Sequence, residues 1–117
     1  MDKIYIRDLQ LKTVIGTFPH ERNAKQDVII NITIFCELDL ASKSDSLNDT
    51  VNYKEIKLAV KDLVENSEYL LIEKLAGEIA NLVLKTDKVE GCTVTVDKPH
   101  ALRFSQSVAV EITRYSK

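Results

Sequence analysis

Between residues 4 and 15 the apolar side chains Ile4, Ile6, Leu9, Leu11 and Ile15 fall mostly at every second position, with a slip of phase at Asp8 and Leu9. Period-two alternation is the pattern of a half-buried strand, and a slipped phase marks a bulge or bend. A stretch over 16–26 carrying Gly, Pro, His and Asn then reads as a connection. The next alternation is longer: over 26–40, Val28, Ile30, Ile32, Ile34, Cys36 and Leu38 share one face, while Ile29, Asn31, Thr33, Phe35, Glu37 and Asp39 share the other. The two runs predict an antiparallel hairpin. Both exceed the usual strand of about 5 to 6 residues. Ile29 and Phe35 also leave apolar surface on the second face, so an isolated small sheet would expose strand edge and apolar area together, which predicts an oligomer.

After the polar segment ASKSDSLNDT the period changes. Ile56, Ala59, Val60, Leu63 and Val64 follow helical spacing, and Asn52 with Glu55 three residues later has the pattern of an N-cap and capping box. A helix over 53–66 is predicted. A second helical stripe, Leu71, Leu75, Ile79, Leu82 and Val83, follows after a few polar residues and makes an antiparallel helix pair. Alternation returns over 92–97, with Val94 and Val96 inward, and over 107–114, with Val108, Val110 and Ile112. The order β-β-α-α-β-β suits an α+β layer fold, a four-stranded antiparallel sheet with two helices on one face.

The length of 117 residues and a hydrophobic share of 44% fit one domain over 1–117 with a modest core. The 16 basic and 18 acidic side chains nearly cancel to a formal charge of -2, which disfavours a long nucleic acid as partner but leaves room for a local basic pocket. The N-terminal MDKIYIRD has no apolar run of signal-peptide length, and no segment approaches the ~18 consecutive apolar residues of a membrane span, so the expectation is a soluble cytoplasmic protein without membrane contact. Cys36 and Cys92, far apart and without metal or redox spacing, read as buried small hydrophobes.

Polar residues at element ends are the candidates for chemistry, because rigid scaffolds present functional groups there. They are Glu21 in the first connection, Asn52 and Tyr53 at one helix start, Glu73 at the other, and Lys98 at a strand exit. Glu73 lies among Leu71, Ile72 and Leu75 in a first turn, where the helix dipole favours a carboxylate able to accept two parallel hydrogen bonds from a planar donor pair such as an aminopyrimidine edge. Such a residue equally well only stabilises its own helix. Tyr53 is either a packed ring with one polar contact or a proton relay. Lys98 precedes Pro99, which holds it away from helical geometry, and is either a solvated strand-end lysine or a partly desolvated acid or base. His20 and His100 have no metal-ligand spacing, and Gly16, Gly77 and Gly91 make no phosphate-cradling loop.

Four motifs in order, IxDLxLxTVIG over 6–16, TVNY over 50–53, LLIEKLA over 70–76 and VDKPHA over 96–101, resemble the dihydroneopterin aldolase family. The resemblance implies the tunnelling fold, a β-β-α-α-β-β unit assembled as a ring barrel of tetramers or octamers with active sites between subunits. It implies Glu73 as the pterin anchor, the backbone at Leu71 and Ile72 along the ring, and Glu21 at the substrate's hydroxylated side chain. Lys98 would be the general acid/base. Tyr53, with Asn52 beside it, would come from the neighbouring chain for proton transfer. The implied reaction is retro-aldol cleavage of 7,8-dihydroneopterin with no metal, cofactor or Schiff base, accompanied by epimerisation at C2'.

TVIG, NAKQDVIINITI and DKPHALRFSQSV are similar to the dihydroneopterin triphosphate epimerase branch. A dedicated 2'-epimerase with little cleavage is therefore the second reading, and a non-catalytic pterin-binding ring the third. On the second reading, His100 and Arg103 face the pocket entrance near Lys98 to receive an anionic tail. Arg103 could also serve as a surface or intersubunit salt-bridge residue.

Overall fold

A computed structural model describes residues 1–116. Strands β1 (Asp2–Thr13), β2 (Gln26–Cys36), β3 (Gly91–Pro99) and β4 (Ser107–Tyr115) form one sheet in the order β1-β2-β3-β4. Every neighbouring pair is antiparallel. Helices α1 (Asp39–Ser44), α2 (Tyr53–Glu65) and α3 (Ile72–Leu84) lie between the two hairpins.

The alternation sets which face is covered. Val28, Ile30, Ile32, Ile34 and Cys36 of β2, with Cys92, Val94 and Val96 of β3, are each at most 1% exposed. They meet Ile56, Val60 and Val64 of α2 and Leu75, Ala76, Ile79, Ala80 and Val83 of α3 in one core. Burial pushes the Cys92 thiol up to about 11 and raises that of Cys36, so both act as small hydrophobes. The predicted slip in the first strand is a register shift between Ile6 and Leu9. Asp8 there adopts a left-handed φ of 53°, and its N–H donates to Asn31 Oδ1 at 2.9 Å.

Besides shifts of one or two residues at the ends of β1, α2 and β4, the structure differs from the sequence reading at three places. β2 stops at Cys36 rather than running to 40, because Asp2 Oδ2 accepts the Leu38 N–H at 2.9 Å and Asp39 begins α1. The polar segment after it is folded, as α1 and a 3-10 turn over Leu47–Asp49. β3 continues through Lys98 and Pro99, which pair with Val108 and Ser107, so the lysine is held by the sheet itself. The start of α2 is as expected in part: Asn52 Oδ1 accepts the Glu55 N–H at 3.3 Å.

Candidate active site

The hairpin connection, the start of α3 and the exit of β3 converge. Gly16, Phe18, Glu21, Leu70, Leu71, Ile72, Glu73, Lys98, Leu102, Val108 and Val110 are among the residues lining a cavity of about 340 Å³. One wall is apolar and half exposed, with Leu70 at 55% and Leu71 at 50%. Glu73 stands at its rim in the first turn of α3, with Leu71 in the N-cap position. A flat heterocycle has a surface to lie against here and a carboxylate to meet with its donors.

Opposite lies an ion pair between residues 77 apart in sequence: Lys98 Nζ donates to Glu21 Oε2 at 2.6 Å. The two side chains are only 14% and 11% exposed. Glu21 also accepts from Gln26 Nε2 at 3.0 Å and from the Phe18 N–H at 3.1 Å. The Lys98 ammonium, with these further donors, holds the Glu21 carboxyl at about 2 against an ordinary 4.5. A carboxyl so acidic is no proton donor at neutral pH. Its chemistry is to accept hydrogen bonds and fix the amine of Lys98.

Why Glu21 can reach this position is legible in Gly16, whose φ of +124° is closed to most L side chains and whose missing Cβ makes room. A Cβ there would lie 2.2 Å from Glu21 Oε1. Two further residues, which sequence reasoning did not single out, brace the same corner. Arg22 Nη1 donates to Gly16 O and to Tyr69 O, both at 3.0 Å, and Arg22 Nη2 donates to Glu68 O, tying the Glu21 connection to the segment entering α3. Gln26 Nε2 also donates to Ile15 O at 2.6 Å. The only available signal was the general need of backbone carbonyls in a connection for donors.

The other candidates fall elsewhere. Tyr53, 52% exposed at the start of α2, lines a separate shallow cleft with Tyr5, Ile6, Lys54 and Lys57. Asn52 caps α2 and faces another depression. Within one chain neither joins Lys98. His100, with a left-handed φ of 61°, lines a second cleft on the far side of the Lys98–Glu21 pair. The expectation for Arg103 is not met within the chain: it lines neither cavity. The turn between β3 and β4, curled by left-handed His100 and Phe104, carries its guanidinium out over the exposed Phe104 ring at 5.5 Å. Among the described residues no helix is long and apolar enough to cross a membrane.

The dihydroneopterin aldolase (FolB) family model matches residues 4–113. Dihydroneopterin triphosphate 2'-epimerase of Pseudomonas aeruginosa is 38% identical over 112 residues, covering 96% of this chain and 91% of that one. Dihydroneopterin aldolase of Bacillus subtilis is also 38% identical, over 117 residues, covering 97% and 98%. The solved structure of Escherichia coli dihydroneopterin aldolase in complex with neopterin superposes with a TM-score of 0.93 at 30% identity, covering 97% of this chain and 99% of that one.

Proposed function

The chain belongs to the dihydroneopterin aldolase family, and from that premise we propose that its cavity binds a 7,8-dihydroneopterin and opens the side chain by a retro-aldol reaction in folate biosynthesis. The observation that carries this reading is the placement of Glu73 and the Lys98–Glu21 pair around one cavity with an apolar wall. Glu73 accepts two hydrogen bonds from the aminopyrimidine edge, while Leu71 and Ile72 lie along the ring. Lys98, held in place by Glu21 and acting in its neutral amine form, takes the proton of the 2'-hydroxyl and becomes the ammonium. The C1'–C2' bond then breaks, its electron pair passes through C6 to N5, and N5 is protonated. Protonation at C1' with loss of the N5 proton restores the ring imine and gives 6-hydroxymethyl-7,8-dihydropterin, and the departing carbons leave as glycolaldehyde. Re-addition to the other face of the aldehyde inverts C2'.

This chemistry uses the ring's own imine as electron sink and asks of the chain only binding, orientation and proton transfer. Exposed Tyr53 and half-buried Asn52, both away from Lys98 in the same chain, serve a neighbouring copy in a cytoplasmic tetrameric or octameric ring. The two uncovered sheet edges, β1 and β4, suit such closure.

Product analysis of 7,8-dihydroneopterin turnover tests the reading. Glycolaldehyde in step with hydroxymethyl-dihydropterin is expected, together with some C2' isomer. Tight pterin binding without either product would contradict it. The basic link His100–Arg103 and the similarity to the P. aeruginosa epimerase favour a second reading, epimerisation of the triphosphate with little cleavage. The same assay on that substrate separates the two.

A further inference from the structure

The Lys98–Glu21 pair is a partition as well as a reactive group. Behind it lies a second cleft of about 360 Å³, which shares Phe18, Glu21, Lys98 and Ala101 with the ring cavity and adds His20, Lys25 and His100. It continues past Lys25, Gln26 and His100 towards Lys12 and Asp27. The charge inventory of this tract is one-sided. Both of its carboxylates are already matched, Glu21 by Lys98 at 2.6 Å and Asp27 by Lys12 at 2.9 Å. Lys25 has no carboxylate partner among the described residues; its ammonium donates to Glu65 O at 3.0 Å and keeps further N–H bonds to offer. His20 and His100 add two imidazoles on facing connections. A cleft with cationic and N–H donors in excess of matched carboxylates selects an anion.

We propose that this cleft is a subsite for the phosphorylated end of the substrate's side chain, and that by holding that end it decides between epimerisation and cleavage. The proposal rests on the reading of the Lys98 cavity given above. With the ring against Glu73 and the 2'-hydroxyl at Lys98, the C3' oxygen is the next group along the chain, and the shared Lys98–Glu21 wall directs it into the second cleft. Loss of the 2'-hydroxyl proton and rupture of C1'–C2' then leave an aldehyde whose far carbon still carries its phosphate ester, and no bond to phosphorus changes. If the fragment escapes, C1' is protonated, N5 gives up its proton and cleavage is complete. When His20, Lys25 and His100 hold the phosphate, the aldehyde stays within reach, turns its other face and re-adds. N5 gives up its proton as the C–C bond reforms, the proton returns to the 2'-oxygen and the epimer results. One proton-transfer site thus gives either product, according to how long the fragment is retained. Arg103, outside this lining, is not required.

The test compares 7,8-dihydroneopterin with its 3'-triphosphate in the wild type and in the double variant Lys25→Met, His100→Asn, the asparagine being chosen because it tolerates the left-handed φ of 61°. Loss of charge-assisted contacts is expected to lower the ratio of C2' epimer to released aldehyde on the triphosphate by about tenfold, and to weaken competitive inhibition by inorganic tripolyphosphate by a similar factor. The ratio on the unphosphorylated substrate should not move. An unchanged ratio on the triphosphate, or an equal shift on both substrates, overturns the subsite and leaves the Lys98 reading standing. A wild type inert towards both substrates overturns the Lys98 reading and this one with it.

Discussion

The two regions of the molecule that carry candidate catalytic groups are built in opposite ways. Around Lys98 everything is braced from within the chain. Glu21 accepts three hydrogen bonds, Arg22 grips three backbone carbonyls, and the lysine is a residue of a paired strand. At the start of α2, Asn52 caps its own helix, while the Tyr53 side chain is half exposed beside Tyr5 and carries no hydrogen bond from the described residues. A preorganised half costs no ordering when substrate arrives. On the proposed reading, the bare half belongs to the site of a neighbouring copy. The contrast says where that proposal can be tested, and it can be broken experimentally.

The largest effect is expected from separating the halves genetically. Lys98→Ala and Tyr53→Phe should each lower turnover of 7,8-dihydroneopterin by about 10²- to 10⁴-fold, the span of general acid–base contributions. If the halves meet between chains, rings reassembled from equal amounts of the two inactive variants contain some interfaces with both residues intact. Random mixing restores about a quarter of the wild-type sites. Turnover of the mixture measures this directly, and no recovery after subunit exchange verified by native mass spectrometry would place both residues in one chain's site or remove Tyr53 from the chemistry.

A smaller effect should follow from loosening the braced half. Gly16→Ala puts a methyl group 2.2 Å from the Glu21 carboxylate at a φ of +124°, so the connection must shift and the Lys98 contact lengthen. The expected result is a fall of about tenfold in kcat, the loss of one charge-assisted hydrogen bond, with neopterin affinity changed less because Glu73 and the α3 wall are untouched. Steady-state kinetics beside a fluorescence titration make the comparison. An affinity loss exceeding the kcat loss would mean that Gly16 shapes the ring site rather than the lysine.

Sequence periodicity made the sheet and both long helices legible, since period two at Val28–Cys36 and the 3.6 stripe of Leu75, Ile79 and Val83 each require a core on one side. Even the bulge at Asp8 was visible as a broken phase. α1 was not, because a six-residue helix with no buried residue leaves no stripe. In the site, Glu21, Glu73 and Lys98 were legible as polar groups at element ends, and the structure does bring them to one cavity. Arg22 and Gln26 were not, because all but one of their partners are backbone carbonyls, at residues 15, 16, 68 and 69, which have no identity to match. Arg103 was placed near the pocket entrance by its closeness to Lys98 along the chain, while within one chain left-handed His100 and Phe104 curl the connection and its guanidinium lies over the Phe104 ring.

The smallest effect concerns acid stability, and it too divides the halves. Glu21 is held at about 2 in the folded chain against 4.5 when unfolded, so in that interval the unfolded state binds the proton more readily. The contribution of the pair to stability is therefore complete above about pH 4.5 and is lost as pH falls towards 2. Asp27 and Glu65, also lowered by their lysine partners, add to the acid slope of the wild type but are retained in a Glu21→Gln variant. The difference between the two thermal-melting curves thus isolates Glu21. Below pH 4.5 the wild type should lose Tm more steeply than the variant, and the curves should converge near pH 2. Tyr53→Phe removes no carboxylate and should keep the wild-type slope. Parallel curves for wild type and Glu21→Gln would mean that the Lys98 pair adds nothing to the folded state, and the braced half would then owe its rigidity to Arg22 and the β3 pairing alone.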